Sequence, residues 1–275
     1  MATLSSTIAR TPRRSRSSVI AAQLLVLAMF IIAWQWVPTI GWFQRRSKLF
    51  DPFFISSPSK IATRAVDLAR GRGDVSIWPY AGRTLQAALI GTIIGMVLGA
   101  FVGLVLSHSD FLSRVFRPFI AAINAIPRIA LIPIVVVVFG PSFKSSVIIS
   151  VLIVFFVAFF SAWEGGRSVP SVVVQNAELL GASTWDVLRR VRLPYVVAWA
   201  ITALPLAVTF SLLTVVTGEL LTGYAGFGRL ISLANMTADA TTTFAVAAYL
   251  GAIGVVAVAL AQLVRNRLLH WWDAN

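Results

Sequence analysis

Few residues of this sequence combine reactive chemistry with a setting in which to use it. Arg128 and Asn124 lie inside an apolar run from Phe119 to Phe139. An arginine facing lipid within such a run costs roughly 2.5–3.5 kcal/mol, so its guanidinium must turn to the protein interior or to water. Two readings are open. Arg128 lines a pathway and meets an anionic substrate, or it snorkels or pairs structurally where Pro127 and Pro133 loosen the helix. Glu219 ends a later apolar run, before Gly223 and Gly226-Phe227-Gly228. By position it reads as a solvated loop carboxylate. Enzyme chemistry finds little support. There is no cysteine, His108 and His270 sit in unrelated polar ends, and no HExxH spacing occurs, which argues against thiolate and zinc catalysis.

The third group is a polar stretch, Val174 to Pro194, between hydrophobic runs. Pro170 and Ser171 can open a short helix, Gly181 can end it in a left-handed conformation, and Ser183 with Asp186 can cap a second. Trp185, Leu188 and Val191 then share an apolar flank, apart from Asp186, Arg189 and Arg190. Helices this short are marginal alone, so they should dock on the neighbouring transmembrane helices or on a partner protein.

The elements that must hold these groups are membrane helices. Hydrophobic residues make up 58% of the 275, charged residues 12%, and mean hydropathy is +0.85. That composition predicts an all-α polytopic membrane protein of six spans. A net charge of +13 is spread over loops and termini, which suits lipid headgroups and not nucleic acid. Residues 1–18 form an N-terminal tail with Arg10, Arg13, Arg14 and Arg16. The apolar run 19–37 is too long for a signal-peptide core and lacks a small-residue cleavage site, so it is the first, uncleaved span. An external loop, 38–83, carries an amphipathic patch near 59–70, expected as an interfacial helix at the outer surface. The core, 84–264, holds spans at 84–106, 119–139, 147–163, 195–216 and 244–264. It includes the polar loop 165–194. A tail at 265–275 ends in the interfacial anchors Trp271 and Trp272. Gly91, Gly95, Gly99 and Gly103 share one flank of the second span, where another helix can approach closely, within the subunit or at a dimer seam.

Several of these residues carry a resemblance. Gly181, nine residues, Val191, one residue, then Leu193-Pro194 resembles the cytoplasmic coupling loop of ABC-importer permeases. That family prefers Glu and Ala where this chain has Gln175 and Asn176. Ser57-Pro58-Ser59, Ala125-Ile126-Pro127 with Ala130 and Pro133, Phe139-Gly140 with Lys144, and Gly226-Phe227-Gly228 after an acid resemble the nitrate, sulfonate and taurine branch. The resemblance implies a type I importer permease that forms half of a dimeric pore, as a homodimer or paired with a second permease. It also implies two cytoplasmic ATP-binding-cassette subunits that bind ATP and Mg, an extracytoplasmic solute-binding protein, and a bacterial inner membrane. Gln175, Ala177, Glu178, Gly181, Ala182, Ser183, Trp185, Leu193 and Pro194 would then meet the ATPase. For Glu219 the resemblance implies a gate or receptor-contact acid as the other reading. The implied solute is a small anion such as an aliphatic sulfonate, taurine or nitrate, moved inward by alternating access. No GxxxxGK[ST] occurs, so this chain needs a separate ATPase and binds no cofactor itself.

With both termini in the cytoplasm, the inward-facing segments hold twelve Lys and Arg, whereas the second and third outer loops hold one each. That contrast follows the positive-inside rule. The first outer loop breaks it, with eight basic residues including Arg45, Arg46, Lys48 and Arg83, and its basic surface could attract anions or a receptor. The alternative is an ion-driven secondary transporter. Such proteins place acids in mid-membrane and show internal repeats, and neither pattern is evident here. An intramembrane enzyme ranks last.

Overall fold

A long apolar helix with a glycine every fourth residue can accept a neighbour at backbone contact, and one such pairing centres this bundle. The computed structural model describes residues 16–36, 40, 55–72 and 75–272. Arg10, Arg13 and Arg14 of the tail and Arg45, Arg46 and Lys48 of the basic loop lie outside them. The helices are α1 (Arg16–Trp36), α2 (Pro58–Arg70), α3 (Trp78–His108), α4 (Asp110–Ala125), α5 (Leu131–Phe139), α6 (Phe143–Arg167), α7 (Ser171–Leu179), α8 (Leu193–Thr202), α9 (Leu204–Thr222), α10 (Phe227–Met236) and α11 (Ala240–Leu268). Among the described residues five helices are long and apolar enough to cross a membrane, and six spans result if the bent pair α4–α5 counts as one.

α3 packs along α6 in parallel. Built onto Gly95, a Cβ would lie 2.8 Å from Val154 Cβ, and on Gly103 it would lie 2.7 Å from Ala162 Cβ. On Gly91 it would overlap Ser150 Oγ, and on Gly99 the carbonyl of Phe155. All four glycines are buried. The seam is therefore internal to the subunit, and a dimer seam through these glycines is not what they build. At one end of it Ser150 Oγ and Ser211 Oγ are 2.7 Å apart, and Ser211 Oγ donates to Ala88 O at 2.8 Å. This bond set joins α3, α6 and α9 where no water is needed to satisfy the hydroxyls.

The break expected at Pro127 is present, while other expectations from the sequence change in three dimensions. The run 119–139 is two helices meeting at 75°, with a turn of 3₁₀ helix at Arg128–Ala130 between them. Pro127 makes the break, because it has no N–H and biases Ile126 toward extended backbone, here φ −73° and ψ 126°. Pro133 and Pro118 do not break anything: the first falls in the opening turn of α5, where its missing N–H is harmless, and the second stays inside α4. The run 195–216 likewise divides into α8 and α9 at Ala203, with Pro205 in the first turn of α9. The patch at 59–70 does form a helix, α2, but its apolar stripe rests on protein. Ile61 and Leu68 are buried with Ile77, Phe227, Leu230 and Val246, while Tyr249 OH donates to Ala65 O at 2.9 Å. Amphipathic periodicity predicts that a stripe will be covered and does not say by what.

α1 remains apart. It is exposed from Val19 to Ala33 and joins the rest at its last turn, where Trp34 meets Phe244 edge-on and Gln35 bonds Ser59. Tyr195 stacks edge to face on Trp272, so the end of α11 lies at the same end of the bundle as the stretch 171–194.

Candidate coupling site and the buried acid at the opposite end

α7 starts from Pro170 in extended conformation and stops where Leu180 N donates to Asn176 O at 3.1 Å. Gly181 follows at φ +86°, and Ala182 N donates back to Ala177 O at 3.0 Å. This left-handed glycine turn is what the sequence predicts. Ser183 then caps the next helical turn, Thr184–Asp186: Asp186 N donates to Ser183 Oγ at 3.2 Å, and Ser183 N donates to the Asp186 carboxylate at 3.2 Å. The Ser183 hydroxyl, then its amide, hold the Asp186 carboxyl below the usual aspartate range, with Arg190 and Arg189 adding to this. From Val187 to Arg192 the chain is π-helical and runs into α8 without a break.

That π segment corrects the expected apolar flank. An extra residue per turn shifts the register, so Leu188 and Val191 are half-buried against the bundle and Val187 is fully buried. Trp185 alone of the three is turned out, 66% exposed. It is joined by Leu179 at 85% and Leu180 at 89%, which flank the glycine turn. Gln175, Glu178 and Ser183 are exposed, Ala177 and Ala182 half-exposed, and Leu193 and Pro194 half-buried at the join to α8.

One residue that sequence reasoning counted only as a topology charge fastens this stretch. Arg192 Nη1 donates to Ser107 O at 2.6 Å, in the last turn of α3, where a cation also meets the negative helix end. Beside it Trp199 packs on Gly165, and Ser107 Oγ occupies the space that a Cβ on Gly166 would need. Movement of 171–194 is thereby tied to α3 and α6. The Glu-Gly-Gly-Arg run at 164–167 carried the signal, as two small residues where two helices must cross.

At the other end of the bundle Glu219 is 1% exposed, which overturns its reading as a solvated loop acid. Its carboxylate accepts from Thr84 Oγ1 at 2.9 Å and from Gly228 N at 3.1 Å, and Thr84 Oγ1 in turn accepts from Phe227 N at 3.0 Å. Gly226 adopts extended backbone, and a Cβ there would overlap the carboxylate. The Gly-Phe-Gly turn is thus shaped around the acid, and α3, α9 and α10 meet on it.

Arg128 lies at the α4–α5 break, half-buried. Its Nη2 donates to Asn124 Oδ1 at 2.8 Å, and its guanidinium stands 5.6 Å from the ring centres of both Phe156 and Phe160. No carboxylate neutralises it among the described residues. The structure brings Asn124 to Arg128 and leaves Glu219 in a separate cluster. No group of three or more metal-ligating side chains occurs among the described residues.

The family model of the binding-protein-dependent transport system inner membrane component matches residues 91–270, more than half of the chain. The chain belongs to this family. As a permease it is 28% identical to the riboflavin transport system permease protein RibX of Chloroflexus aurantiacus, over 91% of this chain and 90% of that protein. It is 25% identical to the taurine transport system permease protein TauC of Escherichia coli, over 85% and 86%. The nitrate import permease protein NrtB of Leptolyngbya laminosa is 23% identical over 73% and 72%. An inward-facing structure of the MetNI methionine ABC transporter superposes on the permease with a TM-score of 0.59 at 18% identity, covering 70% of this chain and 94% of that one. That likeness establishes the type I importer permease fold. The permease is a multi-pass inner-membrane transport component and not a catalytic one, and the secondary-transporter reading falls away.

Proposed function

We propose that this permease moves a small anion inward, such as an aliphatic sulfonate, taurine or nitrate, as one half of a dimeric pore. Two cytoplasmic ATPase subunits bind ATP and Mg, and a solute-binding protein outside delivers the solute. The reading rests on one observation above others: Leu179, Leu180 and Trp185 are exposed around a left-handed glycine turn, in a stretch that Arg192 ties to α3. Large apolar side chains on a polar end are an interaction surface. Closing of the ATPase pair would move this surface, and the α8–α9 and α4–α5 breaks would let the helices reopen on the other face. Both termini then lie in the cytoplasm. Arg128, without a carboxylate partner among the described residues at the α4–α5 break, is assigned to the pathway with Asn124. The anion class is supported by Arg128 and by the taurine and nitrate relatives.

The absence of cysteine makes the test direct. A single Cys at Ser183, expressed with the candidate ATPase, should crosslink to it in membranes, and a Cys at Ser232 should not. Labelling of the Ser183 position by an impermeant reagent from outside would reverse the orientation and end the coupling assignment.

A further inference from the structure

Eight basic residues in the first outer loop have no place in the coupling mechanism, and Arg83 among them is set in a defined cavity. The start of α3 and the turn into α10 border an open pocket of about 350 Å³, whose lining includes Ser76, Tyr80, Arg83 and Arg229. Arg83 and Arg229 come from segments far apart in sequence, and neither guanidinium has a hydrogen-bond or ion-pair partner among the described residues. Among the described residues no acidic side chain lines the cavity. The neighbouring Arg64 differs: its Nε donates to Thr242 Oγ1 at 2.8 Å, and its charge acts on Asp239. Two exposed cations on the wall of one pocket, with no carboxylate beside them among the described residues, make a positive patch that attracts anions. Guanidinium forks match the geometry of a tetrahedral or planar oxyanion, and the Tyr80 and Ser76 hydroxyls supply neutral donors.

Buried hydrogen bonds hold the floor of this cavity. Arg83 precedes Thr84, and Ala225 and Arg229 flank the Gly226-Phe227-Gly228 turn, so both arginines are carried by the segments that Glu219 and Thr84 bind together. We infer that Arg83, Arg229 and Tyr80 form an oxyanion-binding site at the end of the bundle opposite the coupling stretch. It takes the sulfonate, sulfate or carboxylate group of a free small solute before that solute passes between the helices. This inference deepens the anion-import reading and rests on it for its role, but not for its chemistry. A lipid phosphate offers the same oxygens, so the test must separate the two sources.

The full-length permease in phosphatidylcholine nanodiscs is titrated with inorganic sulfate at constant ionic strength, by calorimetry. Saturable binding is expected, weakened at least about tenfold in R83Q/R229Q, since each charge-assisted bond lost is worth about that factor. R83K/R229K keeps the charge without the fork and should fall between them. Both arginines are exposed, so the thermal midpoint should not change. Equal affinity in wild type and R83Q/R229Q, or no saturable binding, overturns the site. Retention of phosphatidylglycerol that depends on the two arginines, without sulfate binding, assigns the cavity to a lipid headgroup and overturns the free-solute site. Because the titration uses neither ATPase nor uptake, sulfate binding in a permease that imports a neutral solute would sink the import reading alone.

Discussion

The α3–α6 seam and the coupling stretch treat apolar surface in opposite ways. Along the seam four glycines bring two spanning helices into backbone contact, and Val154, Ala158 and Ala162 are buried against them. Around Gly181 the same kinds of side chain, Leu179, Leu180 and Trp185, are left uncovered although the bundle lies within one turn of helix. The seam has completed its contacts within one chain, and the coupling stretch has not. Each kind of glycine matches its region: those of the seam are needed for lack of volume, and Gly181 for its positive φ. Under the proposed coupling role, the contrast separates the part that one chain completes from the surface on which the ATPase docks.

Substitutions can break or sharpen that contrast. Gly99→Val would drive a branched side chain into the Phe155 carbonyl and Ala158, and should cost about 3 kcal/mol or more, seen as lost expression of folded protein in detergent. Thr84→Val leaves Phe227 N–H and the Glu219 carboxylate short of a partner. A cost of about 1–3 kcal/mol is expected, read as a lowered thermal midpoint in nanodiscs with membrane insertion intact. Gly181→Val is strained locally by about 1–2 kcal/mol. It should abolish transport while membrane insertion stays intact, and wild-type uptake would show that the left-handed turn at Gly181 is not required. Trp185→Ala should leave stability unchanged and weaken ATPase docking, measured by co-purification. Gln175→Glu should change neither, because it restores the residue that the family prefers at an exposed position; a dead transporter would mean that the partner reads Gln175 itself.

Protonation offers a finer cut. Asp186 is held below the usual aspartate value by Ser183. Its capping contribution is therefore complete above that ordinary value and is lost as pH falls through the lower folded-state value. A spin label at Thr184 should gain mobility only in that acidic window. Mobility that rises near neutral pH would mean that another group governs the turn.

Local chemistry made much of this protein readable from its residues alone. The spans follow from hydropathy, the Gly181 turn from its place after a short helix, the Ser183–Asp186 cap from a three-residue spacing, and the break near Pro127 from a missing N–H. These are short-range effects, decided by a residue and its neighbours within a turn or two. Other features needed distant segments. Glu219 looked like an end-of-helix acid until α3 and α10 closed over it, because burial depends on what another segment brings. α2 carried a stripe that lipid or protein would satisfy equally, and only the placement of α11 and the Gly226 turn chose protein. Arg192 was one basic residue among many until the π segment rotated it onto Ser107 O. Periodicity fixes which face of a helix is apolar, but the partner of that face is set by the packing of the whole chain.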